Sequence, residues 1–221
     1  MQNVESLALA ALIARRGHDW YRGFGRGQAR GIGLISVSGA VNRTGVQEIE
    51  LGSALADAAA AAGGVRGHVH AALLGGYFGG WADAEQHWTM PLEAESMRSR
   101  GLTLGCGVVH FLSADACGVD ATSRILAYLA SQSARQCGPC VFGLTAIAEA
   151  TRRLAARSPQ AGDLERIARW SGQLVGRGAC HHPDGAADLV RSALEVFAAD
   201  FAEHQRRRCV TTSAPARVAV A

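Results

Sequence analysis

Two cysteines separated by two residues, in Ser133-Ala134-Arg135-Gln136-Cys137-Gly138-Pro139-Cys140, are answered forty residues later by a third, in Gly176-Arg177-Gly178-Ala179-Cys180-His181-His182-Pro183. A CxxC pair with a distant third thiol is a metal or redox pattern. It constrains the fold, because two turns far apart in the chain must meet at one place. The flanking segments have helical periodicity, so those turns are the junctions between helices. The rest of the chain reads as a scaffold that presents them.

With 221 residues the chain has core enough for one large domain or two small ones. No apolar run is long enough to span a bilayer, and Met1 is followed by neither a basic n-region nor a secretory apolar segment. A soluble, cytosolic protein is expected. In that compartment six cysteines point to metal, redox chemistry or burial rather than disulfides. The net charge is +3 and the basic residues are scattered, apart from Arg206-Arg207-Arg208, which reads as a solvated helix end. No nucleic-acid partner and no membrane insertion are expected. All 22 Lys+Arg positions are Arg, which excludes a P-loop lysine and any Schiff-base lysine.

Along the chain, residues 2–16 predict an amphipathic helix closed by Arg15-Arg16-Gly17. The glycines at 23, 25, 27, 31 and 33 do not have the GxGxxG spacing and follow no strand, so they read as a connector. Period-two segments then predict strands over 34–39 and 46–51, joined by the turn Asn42-Arg43-Thr44-Gly45. Ser53 is expected to cap an alanine-rich helix that ends at Gly63-Gly64. A short strand over 69–74 runs into a glycine-rich turn over 75–81, and 104–112 predicts another strand. His68 and His70 read as ordinary packed or solvated histidines. The pattern describes a small α+β domain of roughly eighty residues.

Beyond Ser113 helices are expected over 120–133, 140–156, 163–175 and 184–207, and their short connections favour an antiparallel four-helix arrangement. The domain boundaries read as 1–30 for the N-terminal helix and linker, 31–112 for the α+β domain, 113–208 for the helical domain, and 209–221 for a disordered tail.

Cys137 and Cys140 lie where one helix ends and the next begins, and amides at a helix start favour thiolate over thiol. Cys180 lies at the next-but-one junction. Three converging thiolates suit iron–sulfur or zinc, both of which usually take four ligands. Cys-Gly-Pro-Cys is also the thioredoxin tetrapeptide, but a thioredoxin places it after a strand in a βαβ unit, whereas here it follows a helical pattern. Cys106 reads as a buried thiol in a strand. Cys117 precedes the first of the four helices, far from residue 134, and reads as a poor ligand. Cys209 falls in the tail and has no assigned role. His181 and His182 are candidate ligands or helix-start residues.

Read together, these motifs resemble the C-terminal half of the family of NADH-binding flavoprotein subunits of respiratory complex I, a module shared with the diaphorase subunits of NAD-linked formate dehydrogenases and hydrogenases. Gln2-Asn3-Val4-Glu5-Ser6 is similar to the family's VNNVET segment, and Val37-Ser38-Gly39-Ala40-Val41-Asn42-Arg43-Thr44-Gly45 to the start of its β-grasp (SLBB) domain. Gly75-Gly76 through Trp81 resembles that domain's glycine-rich turn. The helical region resembles its iron–sulfur domain, whose signature ESCGKCTPCREG is followed by a lone cysteine about forty residues on.

The resemblance implies an α+β fold in which a small β-grasp-like domain precedes an antiparallel four-helix iron–sulfur-binding bundle. It makes Cys137, Cys140 and Cys180 ligands of a 4Fe–4S cluster that takes electrons from reduced flavin. The signature's first cysteine falls on Ala134, so one ligand is missing: either His181, His182, Ser133 or a partner replaces it, or the site is three-iron, labile or empty. The family's glycine-rich loop for FMN and NADH has no counterpart here, so FMN and NAD are expected only through a partner. The implied partners are a flavin-bearing NADH dehydrogenase domain or subunit and other iron–sulfur subunits. The expected role is one component of an NADH:acceptor oxidoreductase, cytoplasmic or peripheral to a membrane complex. A structural zinc site on the same cysteines, and a metal-free interaction module, stay open as alternatives.

Overall fold

The computed structural model describes residues 3–211. The start of the predicted first helix at Gln2 and residues 212–221 of the predicted disordered tail lie outside them. Helix α1, Val4–Arg16, is capped by Asn3, whose Oδ1 accepts the Ser6 amide at 2.8 Å, and it stops at Gly17. None of its residues is buried, and Val4 and Leu7 stand exposed. The connector predicted after it contains a short helix, α2, His18–Arg22.

Five strands form one mixed sheet: β1 Ile32–Gly39, β2 Gly45–Glu50, β3 Val69–Leu74, β4 Gly80–Asp83 and β5 Val108–Ser113. Their order is β2-β1-β5-β3-β4, with β1 and β5 parallel and every other neighbouring pair antiparallel. Short helices α3 Leu55–Ala61, α4 Ala84–His87 and α5 Ala94–Arg98 fill the connections. The pleat divides the apolar residues between two cores. Ala72, Leu74, Val109 and Phe111 face a core closed by α3 and α5, whereas Ala71, Leu73, Trp81 and Leu112 face the helices that follow the sheet.

Those helices are α6 Gly118–Ser131, a π-helical turn Pro139–Leu144 that runs directly into α7 Thr145–Ala155, then α8 Asp163–Leu174, α9 His182–Val196 and α10 Ala198–Gln205. From α6 to α9 each packs on the next, and α9 packs back on α6. The buried aliphatics Ile125, Leu129, Ile147, Leu154, Ile167 and Leu189 fill the space between them. The Trp81 amide of β4 donates to Ser192 Oγ of α9 at 2.9 Å, so the sheet edge is tied to the helices as well as packed on them. Where α7 meets α8, Asp163 is fully buried and accepts Arg153 Nε at 2.9 Å, Arg153 and Arg166 guanidinium N–H groups at 2.7 Å each, and the Gln160 amide at 2.9 Å.

Several expectations are corrected. The glycine-rich stretch holds a strand, β4, whose four residues are too few to show alternation. Ala54, not Ser53, is the cap of α3; the Asp57 carboxylate accepts the Ala54 amide at 2.8 Å, while Ser53 is buried. The strand predicted over 104–112 begins only at Val108, because Gly105 and Gly107 adopt positive φ. Cys106 is therefore exposed in a turn rather than buried in a strand. The helix predicted over 184–207 is two helices broken at Phe197, whose buried ring meets Trp81 and His70 edge-on at 5.1 and 5.3 Å. Among the described residues no helix is long and apolar enough to cross a membrane.

Candidate metal centre

The turn between α6 and the π-helical segment begins at Ser133. Ser133 Oγ accepts the Arg135 amide at 3.1 Å, and Arg135 takes a left-handed φ of 54°. The signature's glycine falls on this residue, where a side chain is strained. Pro139 then starts a helix, as its fixed φ and missing N–H allow at a first position. The first turns are π-helical, a wider winding often found at functional sites. Gly143 lacks the Cβ that would collide with Leu174 of α8, so the end of α8 approaches this turn closely.

The second turn joins α8 to α9. Gly178 leaves room for the Cys180 carbonyl and Pro183, which any Cβ there would strike. Asp184, in the first turn of α9, reaches back over the loop: its Oδ1 accepts the Gly176 amide at 2.8 Å, and its Oδ2 lies 3.1 Å from His181 Nδ1. The Gly176 amide and then the His181 ring hold the Asp184 carboxyl below its ordinary pKa.

These turns set Cys137 and Cys180 near enough to Cys140 for both to act on its thiol electrostatically. Cys140 is buried, Cys137 half-buried and Cys180 exposed. Burial pushes the Cys140 thiol up, a hydrogen bond from Ser133 pulls it down, and the charges of Cys137 and Cys180 push it up again. Three cysteine sulfurs are the donor type an iron–sulfur cluster takes, one short of the usual four, and the Ser133 hydroxyl brings an oxygen to Cys140. Ala134 has no donor to offer.

His182 is half-buried, and its Nε2 donates to the Leu129 carbonyl at 2.9 Å, with Phe78 edge-on to the ring at 5.2 Å. That bond braces the start of α9 against α6. His181 is fully exposed and turned toward Asp184. Beside His182 lies an open, mainly apolar cleft of about 610 Å³ lined by Tyr77, Phe78, Cys106, Tyr128 and Gln132. Phe142, on the π-helical turn, is 75% exposed.

Sequence reasoning missed Asp184 as the residue that holds the Cys180 loop. Its signal is an acid three residues after the helix cap, behind a proline. It also missed a second cluster. Among the described residues, the ligand atoms of Cys117, His204 and Cys209 all lie within 4.8 Å of one another. Cys117 is far from the other three thiols, as its position before α6 requires.

Known proteins resemble the chain over this region and beyond it. Residues 120–204 match the family model described as the NADH-ubiquinone oxidoreductase-F iron-sulfur binding region. An F subunit of NADH-quinone oxidoreductase from Rhizobium meliloti (strain 1021), the one numbered 2, is 31% identical over 95% of this chain and 50% of its own length. The NADH-quinone oxidoreductase F subunit of Streptomyces coelicolor is 30% identical over 92% of this chain and 46% of its own. The chain thus spans about half the length of these curated relatives. A chain in the crystal structure of NAD+-reducing NiFe-hydrogenase in the air-oxidized state superposes with a TM-score of 0.77 at 26% identity, over 92% of this chain and 34% of that one.

Proposed function

From its relation to the F subunits of NADH-quinone oxidoreductases, whose iron–sulfur binding region its residues 120–204 match, we propose that this chain carries electrons through a 4Fe–4S cluster held by Cys137, Cys140 and Cys180. The observation that carries this reading is the convergence of those three thiols, with the Ser133 hydroxyl on Cys140, at one end of the helices. The cluster, when bound, supplies one-electron carriage between a reduced flavin and a further acceptor.

The chain's own residues supply the rest. Burial of Cys140 keeps water from one side of the site, and hydrogen bonding and burial around thiolates set the potential of such a centre. Asp184 holds the Cys180 loop, and His182 fixes α9 to α6, so the third ligand stands on braced elements. With Ala134 at the remaining ligand position, Ser133, His181, His182 or a partner residue completes the set; Ser133 is favoured because it already bonds Cys140.

In this reading residues 31–112 are the β-grasp-like (SLBB) domain and 113–208 the antiparallel four-helix iron–sulfur bundle. The chain is one component of an NADH:acceptor oxidoreductase, and FMN and NAD reach it on a flavin-bearing partner. The exposed apolar residues of α1 and the exposed Phe142 support a covering partner.

The test is iron, sulfide and the visible spectrum of protein purified without oxygen. About four iron and four sulfide per chain with broad visible absorbance are expected. Cys140→Ala should abolish both, and Cys106→Ala should leave them intact. Iron-free protein, or equal iron in the two variants, overturns the assignment.

A further inference from the structure

Cys117 is the cap of α6, and its Sγ accepts the Asp120 amide at 3.4 Å. Its other neighbour is His204 of α10, with Nε2 at 3.3 Å from Sγ. The opposite ring nitrogen of His204 lies 2.9 Å from the Leu154 carbonyl at the end of α7. A carbonyl only accepts, so Nδ1 carries the proton and Nε2 accepts a hydrogen bond from the Cys117 thiol, the proton a bound metal would replace. A backbone carbonyl orienting one imidazole nitrogen while the other faces a thiol is the outer-shell arrangement of metal-binding histidines.

The chain after α10 then turns back on itself. Arg207 adopts a left-handed φ of 63°, the Arg208 amide donates to the Glu203 carbonyl at 2.9 Å, and the Arg206 and Arg208 side chains clasp the Glu203 carboxylate at 2.7 and 2.8 Å. This reversal returns Cys209 to the start of α6 and completes the trio within 4.8 Å. Cys117 and His204 are buried and Cys209 is half-buried, so one side of the trio is open to solvent. Beside His204, the buried Asp200 carboxyl has an oxygen, Oδ2, with no hydrogen-bond partner.

We propose that Cys117, His204 and Cys209 form a second metal site, for one thiophilic ion of the Zn2+ type, that fastens the segment after α10 to the start of α6. Two thiolates and a neutral imidazole are a zinc donor set, and water takes the fourth position on the open side. The site is separate from the Cys137–Cys140–Cys180 centre, which lies at the other end of α6: fourteen residues at about 1.5 Å rise is about 21 Å. It needs no iron and stands whether or not the first centre binds any.

The experiment uses the full chain with Cys137, Cys140 and Cys180 all changed to Ser, stripped with chelator and titrated with Zn2+ against a chromogenic competitor. Uptake of one zinc per chain is expected, and Co2+ in its place should give thiolate charge-transfer absorption. On that background Cys209→Ser or His204→Gln should weaken binding by about 100-fold or more, since loss of outer-shell partners alone costs 10- to 100-fold. Cys106→Ser should not alter it. No uptake by a chain of normal circular dichroism, unchanged affinity in Cys209→Ser, or a mass lighter by two hydrogens from a Cys117–Cys209 disulfide overturns the proposal. Should the triple variant not fold, Co2+ bound per chain is counted in the unsubstituted apoprotein and its Cys209→Ser counterpart. Loss of one equivalent supports the site, and equal counts overturn it.

Discussion

The two ends of α6 solve opposite problems with the same residue type. At its C-terminal side, Cys137, Cys140 and Cys180 stand on two glycine-bearing turns, with an exposed Phe142 and an open cleft nearby. At its N-terminal end, Cys117, His204 and Cys209 come from places up to 92 positions apart and sit beside a junction sealed by the Arg153–Asp163–Arg166 cluster. One end stands open on a cleft, whereas the other is buried on all but one side. The difference teaches that cysteine spacing announces a site made from neighbouring turns, whereas a site made by chain reversal is visible only once the helices are packed.

The sharpest way to break this contrast is to remove a ligand from one end and read both. Cys140→Ala should empty the iron site completely while leaving zinc uptake at the far end, read by metal analysis on one preparation. Iron retained in that variant would erase the distinction. The next effect concerns the sealed end. Asp163→Asn leaves two guanidinium groups around a neutral amide and should cost about 3 kcal/mol at neutral pH by denaturant unfolding.

The pH dependence follows from the same carboxylate. The Arg153 and Arg166 hydrogen bonds hold Asp163 well below the ordinary carboxylate range despite its burial. Its contribution is therefore fully present above the unfolded value of about 3.9 and is lost as pH falls below it. Unfolding curves of the parent and Asp163→Asn should converge through that window; a gap that stays constant to about pH 2 would contradict the assignment.

A smaller effect tests the packing beside Cys117. Gly118 lies against the Phe197 ring, which any Cβ would strike, so Gly118→Ala should cost about 2 kcal/mol of stability and loosen zinc at the sealed end without altering iron at the open one. The smallest belongs to the open end. Arg135→Gly removes a left-handed strain but frees the unfolded chain, and a stabilisation under about 1 kcal/mol is expected by thermal unfolding. A loss of stability there would mean that the Arg135 side chain is itself holding the turn.

Much of the framework was legible in the sequence, for reasons that particular residues make plain. Alternation marked β1 and β2, and Cys137, Cys140 and Cys180 could be paired because each lies at a helix boundary with its own glycine or proline punctuation. The π-helical winding after Pro139 was not legible, since it depends on how α8 leans on Gly143. The break at Phe197 has no proline or glycine to announce it; the ring is drawn into the contact with Trp81 and His70 instead. Nothing in the sequence singles out His204, because its partners, Leu154 and Cys117, are 50 and 87 positions away.

The strand order has a consequence for synthesis. β5 lies at the centre of the sheet, yet among the described residues it is the last strand in chain order, and both β1 and β3 pair with it. Until the ribosome has passed residue 107, the growing chain holds the β1–β2 and β3–β4 ribbons with no strand between them, and isolated two-stranded ribbons are marginal in water. The sheet is completed within one event when Val108–Ser113 emerges, and α6 follows it at once. A nascent chain stalled before β5 should therefore be digested throughout by protease, and one stalled after it should be protected from residue 32 onward.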